Sequence, residues 1–170
     1  TNCNGDANAD YVAQYDVSTN TWSAVAAGGT GGVYDLKFGL DGTLYIAGNF
    51  DNWGGIANAD NIVAWNGAVY SALGTGADDL IHTLEIAPNG DLYAGGNFTT
   101  MDGDSINYIA RWDGSDWYAL GNNDLNNSVR CLAVAPDGKL YVGGAFTSPE
   151  TRIAMWNGTA PQMTPEFAPQ

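Results

Sequence analysis

The sequence predicts an all-β fold of β-propeller-type four-stranded repeats of about 48 residues, about three blades forming an incomplete ring. Two interleaved motifs and a recurring turn carry the prediction. Tyr45-Ile46-Ala47-Gly48-Asn49-Phe50 returns as Tyr93-Ala94-Gly95-Gly96-Asn97-Phe98 and as Tyr141-Val142-Gly143-Gly144-Ala145-Phe146, with 48 residues between successive tyrosines. Alternating with these copies are Ile62-Val63-Ala64-Trp65-Asn66-Gly67, Ile109-Ala110-Arg111-Trp112-Asp113-Gly114 and Ile153-Ala154-Met155-Trp156-Asn157-Gly158. A degenerate copy, Tyr11-Val12-Ala13-Gln14-Tyr15-Asp16, precedes them.

Taken in chain order, the repeat domain covers 1–159, with units roughly at 8–57, 58–105 and 106–159, and a Pro-rich extended tail occupies 160–170. Each unit reads as two hairpins. In the first, an apolar run such as Val129 to Ala135 meets Pro136-Asp137-Gly138-Lys139 and continues as Leu140 to Phe146; Leu40-Asp41-Gly42 and Pro88-Asn89-Gly90 repeat the device. Asp-Gly or Asn-Gly between alternating apolar runs predicts a hairpin with a type I′ turn, which needs positive φ at both central residues. In the second, Ile109 to Trp112 turns through Asp113-Gly114-Ser115-Asp116 into Trp117 to Leu120, with Val17 to Asn20 and Asn66-Gly67 doing the same elsewhere. No window has a 3.6-residue period, so helix content is expected close to nil. The tail has Pro161, Pro165 and Pro169 and no strand pattern, since proline lacks the N–H that a ladder needs.

The runs Ile109 to Gly114, Trp117 to Gly121 and Val129 to Phe146 resemble kelch-like and delta-60-type propeller repeats of bacterial, phage and eukaryotic surface proteins. That resemblance covers about nine-tenths of the chain and implies a scaffold for adhesion or assembly, with no catalytic residues to carry over. Written as strands a to d, the chain runs c-d, a-b-c-d, a-b-c-d, a-b-c. Propellers usually have four to eight blades, so the remaining edges need covering. The chain is expected to be part of a larger propeller, to pair with copies of itself, or to stack openly into a filament. A β-trefoil-like pseudo-threefold barrel is the alternative closure for this length.

Composition narrows the partners. Nineteen acidic residues face five Lys and Arg, for a formal charge of −14. Such a surface repels phosphate backbones and anionic headgroups, so neither nucleic acid nor membrane insertion is expected. No run of 18 apolar residues occurs. A start at Thr1 without an apolar leader points to a processed protein or a piece of a longer one. Cys3 and Cys131 allow one disulfide, with a free buried thiol the competing expectation for Cys131. Asn97, Asn126 and Asn157 each open an Asn-x-Ser/Thr sequon, meaningful if the source glycosylates secreted proteins. An Asn-, Thr- and Gly-rich, Lys-poor chain fits an extracellular or surface-exposed setting, on a cell or a virion.

Among individual residues, Trp65, Trp112 and Trp156 occupy equivalent positions, as do Phe50, Phe98 and Phe146, and repetition argues for a structural core. Residues that break the repeat are the ligand candidates: Trp53, where the other units have Met101 and Pro149, with Asp51 and Asn52 in the same loop. A loop Trp beside polar groups is suited to stacking on a sugar. Asp102 and Asp104 flank Gly103 in an oxygen-rich loop of a kind that holds Ca²⁺, although the spacing matches no twelve-residue calcium loop. Calcium is thus the one cofactor worth testing, with no other expected. His82, the single histidine, aligns with Tyr34 and Arg130 and reads as surface or packing. Without a nucleophile elbow or a zinc ligand set, the expected function is non-catalytic: a module for adhesion or assembly that binds copies of itself or another structural protein. A carbohydrate-binding module is the first alternative. A propeller glycosidase or lyase, needing two convergent carboxylates, is the second.

Overall fold

A computed structural model of the chain describes residues 11–25, 30–123, 125–148 and 152–157. Cys3, Gly28, Gly29, Pro149 and the Pro-rich tail lie outside the described residues.

Thirteen strands form four antiparallel meanders among these residues. The opening pair is β1 (Ala13–Asp16) and β2 (Thr21–Ala24). A four-stranded sheet follows from β3 (Thr30–Phe38), β4 (Leu44–Asp51), β5 (Ile62–Trp65) and β6 (Tyr70–Ser71). The next holds β7 (Ile81–Ile86), β8 (Leu92–Gly96), β9 (Ile109–Trp112) and β10 (Trp117–Ala119). The last has three strands, β11 (Val129–Val134), β12 (Leu140–Gly144) and β13 (Ile153–Trp156). This is the c-d, a-b-c-d, a-b-c-d, a-b-c order of a propeller-like repeat fold, with the ring of sheets open. Among the described residues strands pair only with neighbours in their own unit, so the trefoil-type barrel is not formed. One 3-10 turn, Trp53–Gly55, is the sole helical element among them.

The hydrophobic cores lie between sheets. Successive strand residues point to opposite faces, and on β4 and β8 the residues of both faces are packed against neighbouring sheets. On β4, Leu44 and Ile46 face the opening pair, joining Val12 and Val25, whereas Tyr45 and Ala47 face the second blade, joining Leu84, Leu92 and Ala94. On β8 the same alternation sends Leu92 and Ala94 backward and Tyr93 forward, onto Leu132, Leu140 and Val142. Two-sided burial explains why these strands read as nearly continuous apolar runs instead of alternating with polar residues. The first strands are innermost, since β7 lies against both β3 and β11. There the blades are also tied by polar contacts: Leu84 N donates to Asp35 Oδ2 at 2.7 Å, and Lys37 Nζ to Glu85 Oε2 at 3.0 Å.

The first hairpin turns differ from the type I′ expectation. Gly42, Gly90 and Gly138 have positive φ of 85–95°, while Asp41, Asn89 and Asp137 do not. Gly90 N donates to Ala87 O and Ala87 N to Asp91 O, both at 2.9 Å, and the other two turns repeat this pattern. The loop is a type I turn closed by a left-handed glycine bulge. The physical reason stands one residue earlier: Pro88 and Pro136 fix φ near −65°, the value of the first central position of a type I turn.

Candidate functional site

A groove of about 600 Å³ lies between the second four-stranded sheet and the last sheet, at the end where the Pro-Asn/Asp-Gly turns lie. Its walls come from β8 (Tyr93), β9 (Arg111), β10 (Tyr118), the 136–138 turn and Trp156 of β13. Arg111 Nη1 donates to Asp91 Oδ2 at 3.1 Å, and the guanidinium carbon sits 4.9 Å from the Tyr118 ring centre. Burial, then the nearby Asp91 charge, pushes the Tyr93 phenol above its ordinary range. The Asp113 charge and its hydrogen bond raise that of Tyr118. Both hydroxyls are therefore neutral donors at pH 7.

At the opposite end of the inner strands, each first strand carries a β-bulge in the same place. The extra residues are Tyr34, His82 and Arg130. A bulge re-aims its side chain, and here Tyr34 and His82 stack with ring centroids 6.0 Å apart while His82 Nε2 lies 3.2 Å from Asn97 Oδ1. The alignment of His82 with Tyr34 and Arg130 is thus a structural equivalence.

The third feature is a pair of open faces. On the first full blade, Leu36 is 43% exposed, whereas the equivalent Leu84 and Leu132 are 0% and 9% exposed, and Phe38 is 67% exposed where the equivalent Ile86 and Val134 are half-buried. On the last blade, Cys131, Tyr141, Val142, Gly143 and Ile153 line an apolar recess of about 260 Å³. Cys131 is a free, exposed thiol rather than the buried one expected from its apolar strand, because no further sheet covers that side of β11 among the described residues.

The repeat-breaking loop behaves differently from expectation. Trp53 is fully buried, against Phe50 at 4.6 Å and edge-on to Tyr70 and Tyr11 at 6.3 and 6.2 Å, so it offers no ring face to a sugar. The left-handed Asn52 and Gly54 curl the 3-10 turn inward, and Trp53 N donates to Ala59 O. Asp51 and Asn52 remain exposed beside it, with Asn52 N held by Asp60 Oδ1 at 2.7 Å. Asp102 caps the preceding connection, its Oδ1 accepting from Thr75 N at 2.7 Å, while Asp104 closes a tight turn with Met101. Among the described residues no three His, Cys, Asp or Glu side chains converge as a metal site would require.

Of the sequon asparagines, Asn157 and Asn126 are exposed and Asn97 is half-buried. Asn126 is engaged, accepting from Thr147 N and Ser148 N and donating to Thr147 Oγ1, in the role that Asp78 plays toward Thr99 and Thr100 one unit earlier. Phe50, Phe98, Phe146 and Trp156 are buried, and Trp65 and Trp112 half-buried. The groove residues were missed by sequence reasoning, though a signal existed: Arg111 stands where the other units have Ala64 and Met155, breaking the repeat inside a motif otherwise read as core.

The family model described as "domain of unknown function (DUF5122) beta-propeller" matches residues 135–156, the stretch from the 136–138 turn to the end of β13. The chain therefore carries a β-propeller-type repeat. No curated protein matches it.

Proposed function

We propose that the chain is a non-catalytic propeller module of an extracellular, cell or virion surface, nearest in kind to kelch-like and delta-60-type repeats, and that it works in adhesion or assembly by self-association. One observation supports this above all: Leu36 is exposed at a position whose counterparts Leu84 and Leu132 are buried against a neighbouring blade, and Phe38 beside it is exposed where its counterparts Ile86 and Val134 are half-buried. The contact that buries Leu84 is a template for what covers Leu36. The recess on the last blade, lined by Cys131, Tyr141 and Ile153, belongs to the same kind of face that receives Leu84 inside the chain. A face and a different, complementary face make a head-to-tail contact, which closes a ring or propagates a filament. Each fully buried Leu or Phe contributes about 2 kcal/mol, against the mutual repulsion of two chains of charge −14. Salt screens that repulsion and leaves the apolar contact intact.

Light scattering on the purified chain tests this. The expected mass is a multiple of 17.9 kDa that rises with ionic strength and falls toward the monomer in Phe38→Asp. A strict monomer at all salt concentrations, or a Phe38→Asp particle as large as the wild type, would overturn the reading.

A further inference from the structure

The groove between the second and third units has features that the blade scaffold does not require, and the repeat supplies its own control. At the equivalent positions one unit earlier, Thr43, Ala64 and Ser71 stand in place of Asp91, Arg111 and Tyr118. That blade folds and packs with these smaller groups, so the ion pair and the exposed phenol are additions to the fold.

We propose that this groove binds a neutral oligosaccharide. Its charges are paired within the protein: Asp91 with Arg111 at 3.1 Å, and Asp137 with Lys139 at 2.5 Å. No uncompensated charge is left to recruit an ion, and the field of the whole acidic chain repels anions. Tyr118, 42% exposed, contributes apolar ring surface with a polar handle, and the largely buried Tyr93 and Trp156 line the groove beside it. A sugar ring matches that mixture, with a C–H face for an aromatic and hydroxyls around its edge. The Asp91–Arg111 pair suits adjacent hydroxyls: Asp91 Oδ1 can accept from one, while guanidinium N–H groups beyond Nη1 can donate to the next. The volume lies within the range of ordinary small-molecule sites, and the groove is open, as an extended chain of sugar rings needs. It lies away from the faces invoked for assembly, so the two readings stand or fall separately.

Isothermal titration of the full chain with hexasaccharides of β-1,4-glucan, β-1,4-mannan, α-1,4-glucan and N-acetylglucosamine, and with an anionic oligogalacturonate, is the test. At least one neutral hexasaccharide is expected to bind once per chain. Tyr118→Ser, which installs the residue present at position 71, should weaken it on the order of tenfold. Tyr34→Ala, at the opposite end of the inner strands, should leave it unchanged. Circular dichroism and melting of Tyr118→Ser matching the wild type would show that the loss is local; if that variant misfolds, Arg111→Met, which installs the residue of position 155, replaces it in the same test. The proposal is overturned if no neutral sugar binds at millimolar concentration, if only the oligogalacturonate binds, or if folded groove variants bind as tightly as the wild type. Particle mass, measured without sugar, reports on the assembly reading independently.

Discussion

Asp113 opens the turn between β9 and β10, and its Oδ1 accepts from the backbone of Asp116 at 3.0 Å and of Ser115 at 2.9 Å. Those N–H donors, joined by the Ser115 hydroxyl, hold its carboxyl down at about 2, against an ordinary 3.8. The unfolded chain therefore takes up a proton first as pH falls. The stabilisation is complete above pH 3.8 and is lost as pH drops through about 2. Asn66 accepts from Ala68 N and Val69 N in the equivalent turn, both at 3.0 Å, so Asp113→Asn keeps an acceptor without the titration. The urea midpoint of Asp113→Asn is expected to stay close to wild type at pH 6 and to fall less between pH 4 and 2. Comparing the two proteins cancels the opposite effect of neutralising the other acids, which relieves self-repulsion. Asp16 and Asp41 are lowered as well, by hydrogen bonds from Ser18 and Thr43 respectively. That polar residues here serve the turns was legible from their Asp-Gly and Asn-Gly settings. The inward aim of Trp53 was not, because it depends on left-handed φ at Asn52, which no local pattern announces.

The glycine that ends each Tyr-x-x-Gly stretch has a cause at the level of the strand pair. Gly48, Gly96 and Gly144 stand opposite the start of each bulge, where a Cβ would lie 1.9, 2.2 and 2.1 Å from the carbonyl oxygens of Gly32, Leu80 and Ser128. Backbone atoms cannot yield as a flexible side chain can. Gly96→Ala is expected to prise the start of β7 from β8 and to cost about 3 kcal/mol by urea denaturation. Gly103→Ala is the comparison: nothing crowds the Cβ position there, so it reports the cost of its positive φ alone, a strain that Gly96 does not carry. The repeat thus disclosed the strands, their order and the invariant glycine. It concealed the bulge, because an extra residue present in all three copies leaves the 48-residue spacing untouched. The alignment of Tyr34, His82 and Arg130 was legible, but not that all three stand in the bulge.

For the molecule as a whole, position within the array decides what an identical residue contributes. Leu84→Ala removes a fully buried side chain from the contact between two blades and is expected to cost about 3 kcal/mol. Leu36→Ala, at the same place in the repeat, is expected to change monomer stability by only a few tenths of a kcal/mol, because 43% of that side chain is already exposed. Paired denaturation curves check both. The blade count and open ring were legible, since motif spacing gives them directly. The groove was not, since it arises where side chains from units 2 and 3 meet across a gap that no single repeat contains. A last consequence comes from where the cores lie. Each belongs to two neighbouring sheets, so no blade has an interior of its own and the array behaves as a row of coupled links. Loosening then starts at the ends and moves inward, leaving the sheet of β7 to β10, flanked on both sides, as the last to surrender its amide protons to solvent. For the same reason the exchangeable part of such a chain is the seam between blades: a cut through the turn of a hairpin spares every seam, whereas removing an inner sheet destroys two.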